Sequence, residues 1–399
     1  MMSKIRTRRT VTRRETLRCL LGGAGAAAFG IRVRGEDIKA PVGDAAPLTE
    51  LGMELGAEQR AAGVAFLKRH ATVDTHSHPG RFFLKQLVDQ TPTTRAFGAA
   101  FEEQAISDLA AGNVSAALFC AVADMRLLEM TPTQGLRAAR DWSSGQAYAD
   151  YQRQLAELKT LLANHALTPG LTAADVAAAH RRHQTAAVFA VEGGDFIEDQ
   201  LDRVHAAFRD GVRAITLVHY HINQIGDIQT EAPVHQGLTA LGKSIVVEMN
   251  RTGIIIDLAH ATFAVTKGVL EASSKPVMIS HTNIATRAMS HPRLISSEHA
   301  RLVASAGGII GSWPSGVGQT SFADYIDSIQ RLVDTVGIDH VAIGTDMDAN
   351  FKPVLRSYRD WSLIPAALLA RGMYDTDVAK IMGGNFLRVF NSTLTRQSR

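Results

Sequence analysis

The sequence predicts an α/β protein built on a (β/α)8 TIM barrel. Eight short, nearly continuous apolar runs alternate with helical stretches, and such runs suit parallel strands that are buried on both faces. The 399-residue chain is 46% hydrophobic, which is enough for one large core. In addition, six of the runs end in a histidine or a carboxylate. The predicted strands are Ala71–His76, Val114–Val122, Ala186–Glu192, Val212–His219, Gly253–His260, Pro276–His281, Gly307–Trp313 and His340–Asp346.

The helices that this barrel requires lie between the strands. Apolar residues recur there at helical spacing, and Glu54–His70 is a further helix that would cap the barrel floor. The segment 123–185 is long, and we interpret it as an elaborated βα unit that serves as a lid or a dimer surface. A homodimer is therefore one possible state of the protein. The predicted helices are Thr94–Ala111, Gln146–Asn164, Phe196–Asp210, Thr239–Arg251, Thr262–Ser273, Ser297–Ala306, Ala323–Val336 and Asp375–Asn391.

The first 35 residues differ in composition from the rest. They contain nine of the 42 Lys and Arg residues and a single acid, which leaves 33 basic and 38 acidic residues in the remainder. That acidic remainder argues against nucleic acid as a partner. Arg13 and Arg14 precede a weakly apolar, Gly/Ala-rich run that is too short to span a membrane. Residues 1–35 therefore predict a twin-arginine export signal and a periplasmic location, with a disordered basic tail as the alternative.

The remaining chain divides into two predicted parts, a linker with an N-terminal helix over residues 36–70 and a catalytic barrel over residues 71–399. The chain has two cysteines, Cys19 in the leader and Cys120. The exported chain then has one thiol and forms no internal disulfide. Any metal site must therefore be built from histidine and carboxylate side chains.

A pair of histidines follows the first predicted strand. His76 and His78 flank a single residue, and alternate side chains of an extended chain point the same way. Both imidazoles can therefore reach one ion. Two surface histidines in a loop would explain an isolated pair of this kind equally well, so the interpretation depends on further ligands.

Such ligands end other predicted strands, and the carboxyl ends of barrel strands meet on one face. The side chains at these ends are Glu192, His219, His260, His281 and Asp346. Imidazole and carboxylate oxygen suit zinc and similar divalent ions. We predict two zinc ions, while one ion or another divalent metal stays open. The predicted metal ligands are His76, His78, Glu192, His260 and His281.

Three charged residues have interpretations of their own. Glu192 precedes two glycines that permit close approach, so its carboxylate could bridge two ions, or it could simply start the next helix. Asp346 is a candidate general base, with a loop-bracing role as the alternative. Arg293 would suit a substrate carboxylate bidentately, with a surface arginine as the alternative.

The other histidines carry weaker expectations. His221 follows His219 at the spacing of a ligand pair, and we interpret it as a pocket residue. Five more lie in helical or loop contexts and are expected to be solvated. They are His180, His183, His205, His235 and His299.

With these residues placed, the chain resembles the membrane (renal) dipeptidase family of zinc metallopeptidases, within the amidohydrolase superfamily. The resemblance runs from about Val73 to Phe390 and implies a barrel of the metal-dependent hydrolase type. The motifs that carry it are VEGG (Val191–Gly194), GLTALGKSIVVEMNRTGIIIDLAH (Gly237–His260), PVMISHTN (Pro276–Asn283), GIDHVAIGTDMD (Gly337–Asp348) and GGNFLRVF (Gly383–Phe390).

The resemblance implies a dipeptidase in which a metal-bridging hydroxide attacks the amide carbonyl. It gives His76 and His78 to the first zinc, His260 and His281 to the second, and Glu192 to both. It also gives three catalytic and substrate-binding roles. His219 would polarise the scissile carbonyl and stabilise the oxyanion, Asp346 would relay a proton to the leaving amine, and Arg293 would hold the terminal carboxylate of the substrate.

The chain departs from the family pattern at three positions. His78 stands where H-x-D is usual, Asp195 follows the EGG motif where histidine is common, and Ala349 stands where the last motif commonly has glycine. Two alternatives therefore stay open. One is another amidohydrolase that acts on N-acyl amino acids, lactones or other amides. The other is a non-catalytic exported binding protein that keeps the barrel and a degraded site.

Overall fold

The computed structural model describes residues 49–87, 90–131 and 135–394. The predicted export signal, residues 1–35, lies outside the described residues. Within them, the strands in chain order are β1 (Val73–Ser77), β2 (Ala116–Val122), β3 (Leu128–Thr131), β4 (Gly135–Ala138), β5 (Leu167–Pro169), β6 (Thr185–Glu192), β7 (Val212–Thr216), β8 (Ile255–Asp257), β9 (Met278–Thr282), β10 (Ile309–Ser312) and β11 (Val341–Ile343).

Eight of these strands close into a parallel barrel in the order β1-β2-β6-β7-β8-β9-β10-β11, with β11 paired to β1. Each corresponds to one predicted apolar run, so the (β/α)8 prediction is confirmed. Every residue of these barrel strands is buried, as a sheet covered on both faces requires.

The helices in chain order are α1 (Ala57–Arg69), α2 (Pro92–Phe97), α3 (Glu102–Ala111), α4 (Gln146–Asn164), α5 (Ala173–Arg181), α6 (Asp202–Arg209), α7 (Ala240–Thr252), α8 (Phe263–Ala272), α9 (Ser297–Ser305), α10 (Phe322–Val336), α11 (Leu363–Ala370), α12 (Asp375–Ala379) and α13 (Asn385–Thr393). Helices α7 to α10 are each capped by a side-chain hydroxyl that accepts a hydrogen bond from the backbone amide three residues later. The capping residues are Thr239, Thr262, Ser296 and Ser321. Among the described residues, no helix is long and apolar enough to cross a membrane.

Three predicted helices are interrupted. The predicted helix Thr94–Ala111 is two helices, because Gly98 adopts φ 83° between α2 and α3. The predicted helix Phe196–Asp210 starts only at Asp202, since Glu198 adopts φ 51°. A π-helical turn separates α12 from α13 where Gly383 packs on the first barrel strand, and a Cβ there would meet Ala71 O at 2.6 Å.

The segment 123–185 carries a hairpin, two helices and a short strand. The hairpin β3–β4 connects to the loop after β7 through the Ala138 amide, which donates to Tyr220 O at 3.3 Å. Gln154 of α4 pairs with both the amide and the carbonyl of Val122 at 2.8 Å. These bonds fix the hairpin and α4 next to the carboxyl ends of the barrel strands.

The barrel interior narrows near its middle. Thr75 Oγ1 lies 2.7 Å from Ser280 O and 2.9 Å from Ile343 O. A Cβ at either Gly311 or Gly344 would stand 1.8 Å from that same Ser280 oxygen. Because Gly311 of β10 and Gly344, which directly follows β11, lack side chains at this level, the threonine hydroxyl of β1 can reach across the interior to the backbone of β9.

The amino ends of the strands form an apolar floor. Small and branched residues such as Ala116 and Ile255 pack with Phe386, Val389 and Phe390 of α13 in one buried cluster. The C-terminal helix therefore closes this end of the barrel, and the opposite end is left for polar groups.

Candidate metal centre

The carboxylate of Glu192, at the end of β6, lies at the centre of the polar strand ends. Its Oε1 atom is 3.3 Å from His76 Nε2, 3.1 Å from His260 Nε2 and 3.6 Å from His281 Nε2. The four side chains are at most 3% exposed. Residues from four strand ends therefore converge on one buried carboxylate oxygen.

The second oxygen of Glu192, Oε2, faces two more histidines. His78 Nε2 and His219 Nε2 each lie 3.4 Å from it. His78 Nε2 is also 3.3 Å from Asp346 Oδ1. Together with Arg293, whose Nη2 is 2.9 Å from His281 Nε2, all eight site residues predicted from the sequence lie in one cluster.

The spacing of these atoms fits bound cations. Two donors that lie about 2.1 Å from one tetrahedral ion are about 3.4 Å apart, which is the separation seen around Glu192. Two overlapping groups have ligand atoms that all lie within 4.8 Å of one another, namely His76, His78 and Glu192, and Glu192, His219 and His260. Imidazole nitrogens and carboxylate oxygens are donors that suit a divalent metal ion.

The Nδ1 atoms of three of the imidazoles contact uncharged groups. His78 Nδ1 donates to Cys120 O at 2.8 Å, which leaves the Nε2 lone pair free for an ion. His281 Nδ1 lies 2.9 Å from Ser280 Oγ, and His76 Nδ1 lies 3.3 Å from the same hydroxyl. These contacts orient the rings before any ion binds.

Two buried aspartates inside the strands fix the strand ends. Asp257 accepts from the amides of Ala259 and Ser280 and from a threonine of β7. Asp74 accepts from the amides of His76 and Thr345, and burial raises its pKa to about 6. Sequence reasoning missed both residues, because an acid inside an apolar run gives no periodic signal.

The backbone turns sharply at two of the site residues. His260 has φ 67° and Asp346 has φ 55°, which is the left-handed region that non-glycine residues seldom adopt. The carbonyl of His260 accepts from the Gln229 amide at 2.8 Å, and the Asp346 amide donates to His76 O at 2.8 Å. Strained backbone of this kind is concentrated at functional sites.

His219 has a carboxylate partner that the sequence did not reveal. Its Nδ1 lies 2.6 Å from Asp124 Oδ1, and the other Asp124 oxygen accepts from the Tyr220 amide at 3.0 Å. Burial opposes a charge on the ring, but Asp124 and Glu192 more than offset it and raise the pKa of His219 above its usual 6.5. The ring is thereby held with Nε2 toward the cluster. A signal was present in the sequence, since Asp124 comes two residues after the apolar run of β2.

Protonation of the remaining rings is set by their surroundings. Burial, together with neighbouring cationic groups, lowers the pKa of His260 and of His281 well below 6.5. Burial disfavours the charged form of Glu192, but His219 and His76 overcome this and hold the pKa of that carboxylate well below 4.5. Burial opposes a charge on His76 and His78, but Cys120 and Glu192 raise the pKa of His76 well above 6.5, and Asp346 and Glu192 raise the pKa of His78 to about 10. A cation that binds these two rings must therefore displace their protons, whereas His260 and His281 are already neutral.

Arg293 is a buried guanidinium, 2% exposed, at the edge of this cluster. Its Nη1 donates to Gln229 Oε1 at 2.9 Å, and its Cζ lies 5.4 Å from the centre of the Trp313 ring. Within the part of the chain that the structure describes, its Nε has no hydrogen-bond partner. Among the described residues, no carboxylate forms an ion pair with Arg293. A buried cation without a counter-charge is an attractive site for an anionic group of a ligand.

A cavity of about 430 Å³ adjoins Arg293 through Gln229. The hairpin contributes Arg137 and Ala138, and the loop 229–232 forms the opposite wall.

Two histidines outside the cluster, His221 and His299, also had predicted environments. His221 Nδ1 lies 2.5 Å from Asp195 Oδ1 and its Nε2 3.0 Å from Asp141 Oδ1, so His221 joins two loops beside the site. His299 was expected to be solvated, and this is wrong. It is 3% exposed and packs between α8 and α9, with Nε2 2.8 Å from Thr266 Oγ1.

Curated proteins with similar sequences are dipeptidases by name. The chain is 32% identical over 249 residues to dipeptidase verJ of Clonostachys rogersoniana, a match that covers 60% of this chain and 64% of that protein. It is 31% identical over 221 residues to dipeptidase 3 of Mus musculus, covering 51% and 44%. The matched region thus spans about two thirds or less of the length of these relatives.

Solved structures share the fold. A metallopeptidase from Rhodobacter sphaeroides, liganded with a phosphinate mimic of the dipeptide L-Ala-D-Ala, superposes with a TM-score of 0.68 at 19% identity, covering 81% of this chain and 99% of that one. The probable dipeptidase PvdM from Pseudomonas aeruginosa gives 0.68 at 18% identity, covering 84% and 98%. The sequence model of the family described as "Membrane dipeptidase (Peptidase family M19)" matches residues 60–399. The chain therefore belongs to the membrane dipeptidase family, peptidase family M19.

Proposed function

We propose that the protein is a metal-dependent dipeptidase that uses zinc, with two ions when fully loaded. The observation that carries this proposal is the convergence of five imidazoles on the Glu192 carboxylate next to the unpaired, buried guanidinium of Arg293. One part of this arrangement suits cations, and the other suits the carboxylate of a small substrate.

The metal ligands in this proposal form two sets that share Glu192. His76 and His78 hold one ion with it, and His260 and His281 hold the other. An ion in either place supplies Lewis acidity toward the scissile amide. The protein supplies the rigid placement of the donors, through the backbone turns and buried aspartates described above.

His219 is assigned to the carbonyl oxygen of the substrate. Its Nδ1–H donates to the Asp124 carboxylate, and the raised pKa of the ring favours the doubly protonated form, in which Nε2–H also donates. Such a donor stabilises the negative charge that develops on the oxygen during attack. Asp124 is a positioning residue in this scheme.

Asp346 is assigned to proton transfer. Its side chain is 14% exposed, and its Oδ1 lies 3.3 Å from His78 Nε2, so it faces both the cluster and the opening of the site. From there it can accept a proton from the water that attacks the amide carbonyl and deliver that proton to the leaving amine. Its left-handed backbone sets this direction.

Arg293 is assigned to the terminal carboxylate of the substrate. The guanidinium lies against His281, so a carboxylate bound to it stands about one residue from the reacting amide. This restricts hydrolysis to the last peptide bond before a free carboxylate, a requirement that dipeptides meet. N-acyl amino acids meet the same requirement, and they are the second candidate substrates because the imidazole of His78 replaces the usual carboxylate.

The test is hydrolysis by the purified protein after removal of metal with a chelator and reloading with zinc. We expect amino acids to be released from a panel of L,L and L,D dipeptides, and the same dipeptides with an amidated C-terminus to be poor substrates. Faster turnover of N-acyl amino acids would replace the dipeptidase assignment by the second candidate. Bound metal without hydrolysis of any amide or ester would instead indicate a binding protein.

We also propose export through the twin-arginine route to the periplasm, supported by Arg13 and Arg14 before the weakly apolar run. Fusion of residues 1–35 to a reporter, with Arg13→Lys/Arg14→Lys as the matched control, tests this proposal. Retention of the reporter in the cytoplasm with the native leader would refute it. A homodimer through the segment 123–185 is a further proposal that sedimentation can test.

A further inference from the structure

We propose that the metal centre holds one divalent ion tightly, between His76 and His78, and a second ion weakly, between His260 and His281, because charged side chains are distributed unequally around the two positions. The inference rests on the metal centre of the proposed function, but it does not depend on the substrate. It concerns how the charges of this chain's own side chains are distributed around the two ion positions.

Carboxylates are scarce around the centre. Among the described residues, only Glu192 and Asp346 have oxygens within 4 Å of the Nε2 atoms of the four histidines assigned as ligands. These histidines are His76, His78, His260 and His281. One divalent ion balances these two carboxylates, and the carboxylate of Asp124, which faces His219, is offset by the guanidinium of Arg293, which faces His281. A second ion therefore leaves the buried site with an excess of positive charge. Uncompensated charge in a buried environment is costly, so the second ion must bind less tightly.

The surroundings also differ between the two positions. On one side, Asp346 Oδ1 lies 3.3 Å from His78 Nε2 and adds a negative charge. On the other side, Arg293 Nη2 lies 2.9 Å from His281 Nε2 and adds a positive charge. The tight ion therefore belongs with His76 and His78, and the weak ion belongs with His260 and His281.

His78 is held in the site with its Nε2 atom directed at the shared carboxylate. Its Nδ1 is fixed by the carbonyl of Cys120 at 2.8 Å, and its side chain is 1% exposed. An aspartate at this position would bring a third negative charge within contact distance of the shared Glu192. The imidazole-rich donor set also favours zinc and cobalt over manganese, which prefers oxygen ligands.

Metal titration of the full-length, metal-stripped protein tests the inference without any substrate. The protein is equilibrated with buffered Co²⁺ over a wide range of free concentration, and bound cobalt is measured by elemental analysis and by its visible absorption. We expect two binding steps whose dissociation constants differ by at least about 100-fold, and we expect His78→Asp, which adds a negative charge to the tight position, to strengthen the tight step more than the weak one and so widen the gap by at least about tenfold. Two equally tight steps in the unsubstituted protein would overturn the inference.

Variants locate each step. His76→Ala should abolish the tight step, whereas His281→Ala should abolish only the weak one, and the reverse pattern would overturn the assignment of positions. His340→Asp adds the same charge at the amino end of β11, where His340 Nδ1 contacts Gly308 O, and should leave both steps unchanged. Binding of no metal at all would refute the proposed function as well. Two equal steps with intact dipeptide hydrolysis would refute this inference alone.

Discussion

The two ends of the barrel are built from the same eight strands but have opposite chemistry. At the amino ends, Ala116, Ile255 and similar residues pack on Phe386 and Phe390 of α13. At the carboxyl ends, five histidines surround Glu192 and Arg293 is buried without a carboxylate partner among the described residues. The contrast indicates that the amino ends of the strands contribute mainly to stability and that the carboxyl ends carry the catalytic site. Substitutions at one end should therefore change stability without changing activity, and substitutions at the other should do the reverse.

The largest expected effect is on chemistry, from Glu192→Gln. The amide keeps the size of the carboxylate but removes the charge that all five imidazoles face. We expect dipeptide hydrolysis to fall by at least about 10³-fold and bound metal to be lost, with little loss of thermal stability. Glu271→Gln on the exposed face of α8 is the matched control. Full metal content in Glu192→Gln, measured by elemental analysis, would contradict the role of this residue.

The converse effect is expected at the floor, from Phe386→Ala. Truncating this fully buried ring leaves a cavity between α13 and the strands and should lower the free energy of unfolding by about 3–5 kcal/mol. Below the melting temperature, kcat/KM per folded molecule should be unchanged. Denaturant titration and kinetics measure the two quantities, with Phe386→Leu as the milder control. A loss of activity without a loss of stability would show that the two ends are coupled.

Arg293→Lys tests whether Arg293 binds the terminal carboxylate of the substrate at the carboxyl end of the barrel. Lysine keeps the charge but loses the planar pair of donors, so kcat/KM for dipeptides should fall by about 10²-fold. Dipeptide amides, which lack the carboxylate, should be hydrolysed equally by both proteins. Equal losses for the two substrate classes would remove the carboxylate-binding role of Arg293.

The smallest effect concerns a buried histidine that lies away from the site. Burial lowers the pKa of His299 to about 4, whereas the unfolded chain titrates near 6.5. Because only the unfolded state gains the proton in this window, stability is complete above pH 6.5 and is lost as the pH falls toward 4. The loss between pH 8 and pH 5 should be about 2 kcal/mol. His299→Gln should flatten this part of the pH–stability curve, and an unchanged slope would refute the assignment.

Much of this architecture was predictable from the sequence. The apolar runs identify the eight strands because a doubly covered parallel strand has few polar positions. The position of His260 or His281 directly after such a run also fixes the face it occupies. The supporting residues were not predictable in this way. Asp74 and Asp257 lie inside the runs, and the contact of Asp124 with His219 joins residues 95 positions apart. Their partners are determined by the closure of the barrel and not by any local pattern.

The left-handed backbone at His260 and Asp346 has a consequence for how this site can evolve. Few side chains tolerate such a conformation, and histidine, aspartate, asparagine and glycine are the most tolerant among them. Single-nucleotide changes interconvert histidine, aspartate and asparagine, whereas cysteine or glutamate would strain this backbone. Diversification of metal preference within this lineage should therefore proceed at position 78 and spare positions 260 and 346.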